Sequence, residues 1–168
     1  KNPINQLSQF TILGAQNQPD SVAPKQSLTA ETWLGSAQEA VGAYIHVPFC
    51  FHKCHYCDFF SVVGKEDQHA LFVDRLEQEL AFVGPHLKEL QTIFIGGGTP
   101  TLLEPSLLKN MLEAVQRHLP MAQDIEFTIE ANPETVTAEK ADIMASCSVN
   151  RVSIGAQSFD PALLKTFC

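Results

Sequence analysis

The chain has 168 residues, 45% of them hydrophobic, and a formal charge of −8. That length is enough for one domain with a buried core, and the acidic balance excludes a face built for phosphate backbones, so no nucleic-acid partner is expected. No apolar run reaches the length of a membrane span and no charged-then-apolar leader opens the sequence, so the expectation is a soluble cytoplasmic protein, in a reducing compartment that suits free cysteines.

Residues 1–40 are rich in Gln, Asn, Ser, Pro and Ala with no sustained apolar period, the composition of a disordered or loosely attached arm on which Trp33 and Leu34 are the candidates for docking. The first residue is Lys1 rather than Met, as in a processed or incomplete product. From residue 41 onward short apolar runs alternate with helical ones, which assigns 41–168 to a core domain.

Ala43 to Val47 reads as a buried strand that ends in a cysteine-rich loop. Glu66 to Val83 sets Phe72, Leu76, Leu80 and Val83 on one helical stripe, which Gly84-Pro85 stops. Thr92 to Ile95 is a β-branched strand running into Gly96-Gly97-Gly98-Thr99-Pro100, and Pro105 to Leu119 is a helix with Leu108, Met111, Leu112, Val115 and Leu119 on its core face. Ile125, Phe127 and Ile129 alternate through a third strand that ends at Glu130-Ala131-Asn132-Pro133. Thr137 is the expected N-cap of a short helix through Ser146, Arg151 to Ile154 a fourth strand leading to Gly155-Ala156-Gln157-Ser158, and Asp160-Pro161 the start of a fourth helix. Four alternations of strand and helix predict an α/β fold with parallel strands and helices packed outside. In such folds ligands sit at the carboxyl ends of the strands, where this chain places the cysteines, the triple glycine, Glu130 and Gln157.

The cysteine loop carries the sharpest chemistry. Cys50, Cys54 and Cys57 fall within eight residues of a chain with 5 cysteines. Thiolates packed so closely repel one another and oxidise readily unless a soft cationic centre binds them, which makes this a metal loop. Zinc would need a fourth ligand, for which His46, His52 and His55 are the nearest candidates. An iron–sulfur cubane held by three thiolates would keep one iron open for another ligand. A disulfide staple fits poorly, because it belongs to small secreted domains. Cys147 and Cys168 read as ordinary thiols. Taken alone, the triple glycine is a tight turn, Glu130 a solvated charge and Gln157 a polar loop residue; Tyr44 and Tyr56 are packing residues.

Tyr44-Ile45-His46-Val47-Pro48-Phe49-Cys50, followed by Cys54 and Cys57, resembles the signature of the radical S-adenosylmethionine enzymes, in particular the branch that holds oxygen-independent coproporphyrinogen III oxidase and the haem chaperone HemW. The likeness runs from about Val41 to the last residues. It implies that Cys50, Cys54 and Cys57 hold a [4Fe–4S] cluster whose open iron takes the amino and carboxyl groups of S-adenosylmethionine, and that electron transfer from the cluster yields methionine and a 5′-deoxyadenosyl radical. By motif position it further implies that Gly97, Gly98 and Thr99 contact the methionine amino group, and that Glu130 and Gln157 contact the ribose. It also implies that Tyr44 lies against the methionine end and Tyr56 beside the adenine.

The oxidase branch carries a further cysteine two positions after the third; Cys57-Asp58-Phe59 lacks it, and Glu-Ala-Asn-Pro together with the Gly-Gly-Gly-Thr-Pro run resembles the chaperone side. That likeness implies haem as a ligand and haem-accepting proteins as partners, with an electron donor if the protein is catalytic; a porphyrinogen-oxidising enzyme and a zinc-stabilised interaction module are the alternatives. The resemblance also implies a partial TIM-like (βα) barrel, about four of six βα units. The ending Leu164-Lys165-Thr166-Phe167-Cys168 departs from the Leu-Gly-Arg run of the family, and the expectation is that the isolated chain, with an unpaired edge strand, binds cluster and cofactor poorly.

Overall fold

The structure, a computed structural model, describes residue 37 and residues 39–167. Most of the predicted arm, including Trp33 and Leu34, lies outside the described residues, as does Cys168. Within the stretch assigned to the arm, Ala37 and Ala40 are buried.

Four strands form one parallel sheet in the order β1 (Gly42–Val47), β4 (Leu90–Gly97), β5 (Met121–Ala131), β6 (Arg151–Ile154). Two short strands, β2 (Phe49–Cys50) and β3 (Val62–Val63), pair in parallel beside it and close the cysteine loop at its base. Helices α1 (His69–Val83), α2 (Pro105–His118) and α3 (Ala138–Ser146) connect the strands, and α4 (Pro161–Phe167) follows β6. This is the predicted α/β architecture.

Period-2 alternation decides which face of the sheet each residue occupies. Ala43, Ile45 and Val47 of β1, Ile93 and Ile95 of β4, and Ile125, Phe127 and Ile129 of β5 are buried in one core with Leu76 and Leu80 of α1, Leu108, Met111, Leu112 and Val115 of α2, and Met144 of α3. Every residue of the predicted stripe of α2 is buried, as are Ala114 beside it and Leu119 just past the helix end. On α1 the burial is rotated slightly: Val73 joins Leu76, Leu80 and Val83 inside, whereas Phe72 is half-buried and meets Phe49 edge-on. The residues between, Tyr44 and His46, Phe94, Glu126, Thr128 and Glu130, Arg151 and Ser153, share the opposite face, where Arg151 pairs with Glu126 at 3.1 Å.

Local chemistry fixes the element ends. Thr137 caps α3 by accepting from Lys140 N, and the Asp160 carboxylate accepts from Ala162 N at 2.7 Å to open α4. The start of β6 is set by Asn150, whose amide accepts from Phe127 N (2.9 Å) and donates to Ile125 O (2.7 Å), standing in for a strand neighbour. Among the described residues no helix is long and apolar enough to cross a membrane.

Candidate functional site

At the carboxyl ends of the four strands the loops enclose a cleft of about 440 Å³. Its walls include Cys50, Cys54, Cys57 and Tyr56 from the loop after β1, Gly97, Gly98 and Thr99 after β4, Glu130 with Asn132 and Thr135 at the end of β5, and Gln157 after β6. Residues up to 107 positions apart in the chain thus share one cavity because every parallel strand delivers its following loop to the same edge. Of the site residues expected from sequence, Tyr44 alone does not line it.

The floor explains the triple glycine residue by residue. Gly97 has φ +111, a region that side-chain-bearing residues avoid, and a Cβ there would overlap the His46 ring. A Cβ at Gly96 would stand 2.5 Å from Glu130 Oε2, and one at Gly98 2.5 Å from Phe49 O. The glycines therefore let three different elements press on one stretch of backbone. Gly97 N donates to Glu130 Oε2 at 3.0 Å, so the carboxylate is held across the floor rather than left in solvent. Gly98 N and Thr99 N donate to Val47 O and Phe49 O, each at 2.7 Å, which fastens the glycine turn to the root of the cysteine loop.

The cysteine loop is tied at several points. Val62 N donates to Pro48 O at 2.8 Å, and Lys53 Nζ donates to Phe59 O (2.6 Å) and Ser61 Oγ (3.1 Å). His46 Nε2 donates to Phe60 O at 2.8 Å; since a carbonyl only accepts, Nε2 carries the hydrogen and Nδ1 accepts from the Tyr44 hydroxyl at 3.2 Å. The Nε2 bond thereby ties the loop to β1, while Tyr44, on the same strand as His46, fixes the ring through Nδ1. Tyr44 also stacks on Phe94, with centroids 5.9 Å apart, and burial, seconded by the Glu130 carboxylate, raises the pKa of its hydroxyl.

Cys50, Cys54 and Cys57 are free thiols, partly exposed on one wall, with Cys57 N donating to Cys54 O at 3.1 Å and His52 Nε2 lying 3.3 Å from Cys54 Sγ. Among the described residues no three His, Cys, Asp or Glu side chains converge to hold a metal ion, so the thiols share a wall of the cleft rather than a common point. Their chemistry still fits a soft centre, because three unpaired sulfur donors open onto one cavity lined opposite by small, backbone-exposing residues.

Sequence reasoning missed a buried joint behind the cleft wall. Thr101 and Lys140 are buried, Thr101 Oγ1 lies 2.6 Å from Thr135 Oγ1, and Lys140 Nζ donates to Thr101 O (2.7 Å) and Thr135 O (3.2 Å). One signal was available: a lysine in the first turn of a helix opposes the positive end of the helix dipole and calls for acceptors elsewhere. His69 was missed as well; it is buried with its ring 4.2 Å from that of Phe49, and burial lowers its pKa against the raising influence of Glu66, Glu104 and Asp67.

The heme chaperone HemW of Bacillus subtilis (strain 168) is 43% identical to the chain over 126 residues, covering 73% of this chain and 33% of that protein. HemW of Escherichia coli (strain K12) is 42% identical over 127 residues, again covering 73% and 33%. The chain thus spans 33% of the length of these curated relatives. Among solved structures, Escherichia coli coproporphyrinogen III oxidase (HemN), described as a radical SAM enzyme, matches with TM-score 0.73 at 23% identity, over 83% of this chain and 34% of that one. A likeness at that identity shows a shared fold, the partial TIM-like barrel expected from the sequence. The profile of the radical SAM superfamily matches residues 44–168, and the chain belongs to that superfamily.

Proposed function

We propose that the cleft binds a [4Fe–4S] cluster and S-adenosylmethionine, and that the protein is a HemW-type haem chaperone that delivers haem to haem proteins. The observation that carries this is the gathering of Cys50, Cys54 and Cys57 with Gly97, Gly98, Thr99, Glu130 and Gln157 around one cavity. Cys50, Cys54 and Cys57 would ligate the cluster, which when bound supplies the electron that a sulfonium cofactor accepts. Backbone groups of Gly97, Gly98 and Thr99 can approach a small zwitterion without side-chain obstruction. The Glu130 carboxylate, already oriented by Gly97 N–H, accepts hydrogen bonds from ribose hydroxyls, with Gln157 as a further polar contact. Tyr56 borders the adenine end, and Tyr44 acts from beneath by holding His46 and, through it, the cysteine loop.

The chaperone assignment rests on the identity to HemW proteins and on Phe59, which stands where the oxidase branch has a further cysteine and is exposed at the cleft. The test is anaerobic assembly with iron and sulfide, followed by iron and labile-sulfide analysis, electron paramagnetic resonance with and without S-adenosylmethionine, and haem titration followed by absorption. Carried in a chain of the HemW relatives' length, these residues are expected to give a brown protein whose reduced signal changes on cofactor addition, with iron lost in Cys50→Ala, Cys54→Ala and Cys57→Ala, whereas the 168 residues alone are expected to load poorly. A colourless product or stoichiometric zinc would sink the proposal.

A further inference from the structure

Lys140 carries its charge to a place that appears in no motif. It is the third residue of α3, in the turn whose N–H groups already make that helix end positive, and it is buried. Its ammonium is aimed at two carbonyls on different loops: Thr101 O at 2.7 Å, in the turn that follows Gly97-Gly98-Thr99, and Thr135 O at 3.2 Å, in the loop that follows Glu130. The same two loops meet through the Thr101 and Thr135 hydroxyls at 2.6 Å, and Asn132 N donates to Thr101 Oγ1 at 3.3 Å. Burial lowers the pKa of the lysine, with Glu104 and Glu139 acting in the other direction. An apolar side chain of equal length would fill this space without desolvating a charge, so what the ammonium adds is the joint itself.

Resting on the assignment of the cleft above, we propose that Lys140 is a positioning residue: by joining the turn after β4 to the loop after β5 it fixes Gly97-Gly98-Thr99 relative to Glu130 and so sets the affinity for S-adenosylmethionine without touching it. Lys140 is not among the residues that line the cavity, whereas Asn132 and Thr135, which it or its partners hold, are.

The anaerobically assembled protein is compared with Lys140→Met, which keeps the stem and removes the ammonium, and Lys140→Arg, which keeps a donor. Binding of labelled S-adenosylmethionine is measured by equilibrium dialysis at equal cluster content, and amide hydrogen exchange is followed in peptides covering 97–102 and 131–135. Lys140→Met weakens binding about tenfold, the scale of one charge-assisted hydrogen bond, and Lys140→Arg recovers part of it. Exchange rises in those two peptides and stays unchanged across 43–50. Unchanged affinity and exchange in a folded Lys140→Met overturn the proposal, as does loosening of every peptide together with loss of the cluster, which would make Lys140 a support of the whole fold. If the unmodified protein binds no S-adenosylmethionine, the assignment of the cleft fails separately, and the exchange contrast alone decides the joint: a rise confined to the two peptides upholds it, no rise removes it. Should Lys140→Met not fold, Lys140→Gln, with a donor of shorter reach, is read by the same outcomes.

Discussion

Gly97→Ala separates two costs that glycine turns usually confound. The backbone there has φ +111, so an alanine carries about 1–3 kcal/mol of conformational strain. The added methyl also overlaps the His46 ring, which must swing away from Phe60 O and the Tyr44 hydroxyl. Losing those two hydrogen bonds costs about 1 kcal/mol each, for a total of about 3–5 kcal/mol. Gly64 is the internal control: its φ is +66, and nothing lies within 4 Å of a methyl added there. Gly64→Ala therefore reports the left-handed strain alone, about 1–2 kcal/mol. Urea unfolding followed by far-ultraviolet circular dichroism measures both as midpoint shifts at constant slope. In a His46→Ala background the ring is gone, and Gly97→Ala then costs only its backbone part, leaving a coupling of about 2 kcal/mol between the two sites. Equal losses for Gly64→Ala and Gly97→Ala, or additivity with His46→Ala, would refute the claim that the ring rests on this glycine.

Glu130→Gln removes the carboxylate that helps to raise the Tyr44 pKa, so the Tyr44 hydroxyl then titrates lower than in the unmodified protein but, burial being the larger cause, still above 10.0; tyrosinate absorbance, with Tyr44→Phe to identify the signal, measures it. Because the folded-state value is raised, the stability Tyr44 contributes is complete below its ordinary pKa and is lost as pH climbs through the raised one. His69 has the opposite sign: with its folded pKa lowered from 6.5, the unfolded chain takes up the proton first, so the urea midpoint falls as pH drops from 6.5 through the lowered value, and His69→Leu flattens that part of the curve. Thr137→Ala removes the acceptor for Lys140 N and costs about 1 kcal/mol, most of which Thr137→Ser restores in the same unfolding assay.

What could be read in advance followed from local rules. The core face of α2, the alternation of Ile125, Phe127 and Ile129, and the caps Thr137 and Asp160 each depend on residues a few positions apart, and each stands as expected. The convergence of the cysteine, glycine, Glu130 and Gln157 loops was legible for the same reason, since strand–helix alternation dictates which ends meet. Long-range chemistry was not. Val73 rather than Phe72 is fully buried because Phe49, from a short strand with no periodic signal, takes Phe72 at its edge. The pairing of β2 with β3 rests on residues separated by the loop they enclose, and the bond from Lys140 to Thr101 spans 39 positions. Tyr44, expected against the methionine end of the ligand, also supports His46 through a hydrogen bond that the motif does not announce.

The pairing of Phe49–Cys50 with Val62–Val63 means that both ends of the thiol-bearing segment are anchored before anything binds between them. Most of the entropy of closing that loop is therefore spent during folding of the sheet, and only the residues between the anchors have freedom left to lose when the sulfurs converge. Uptake of the proposed inorganic centre would thus be a local ordering event on a finished platform. Substitutions within the helices should consequently alter thermal resilience while leaving the loading equilibrium nearly untouched.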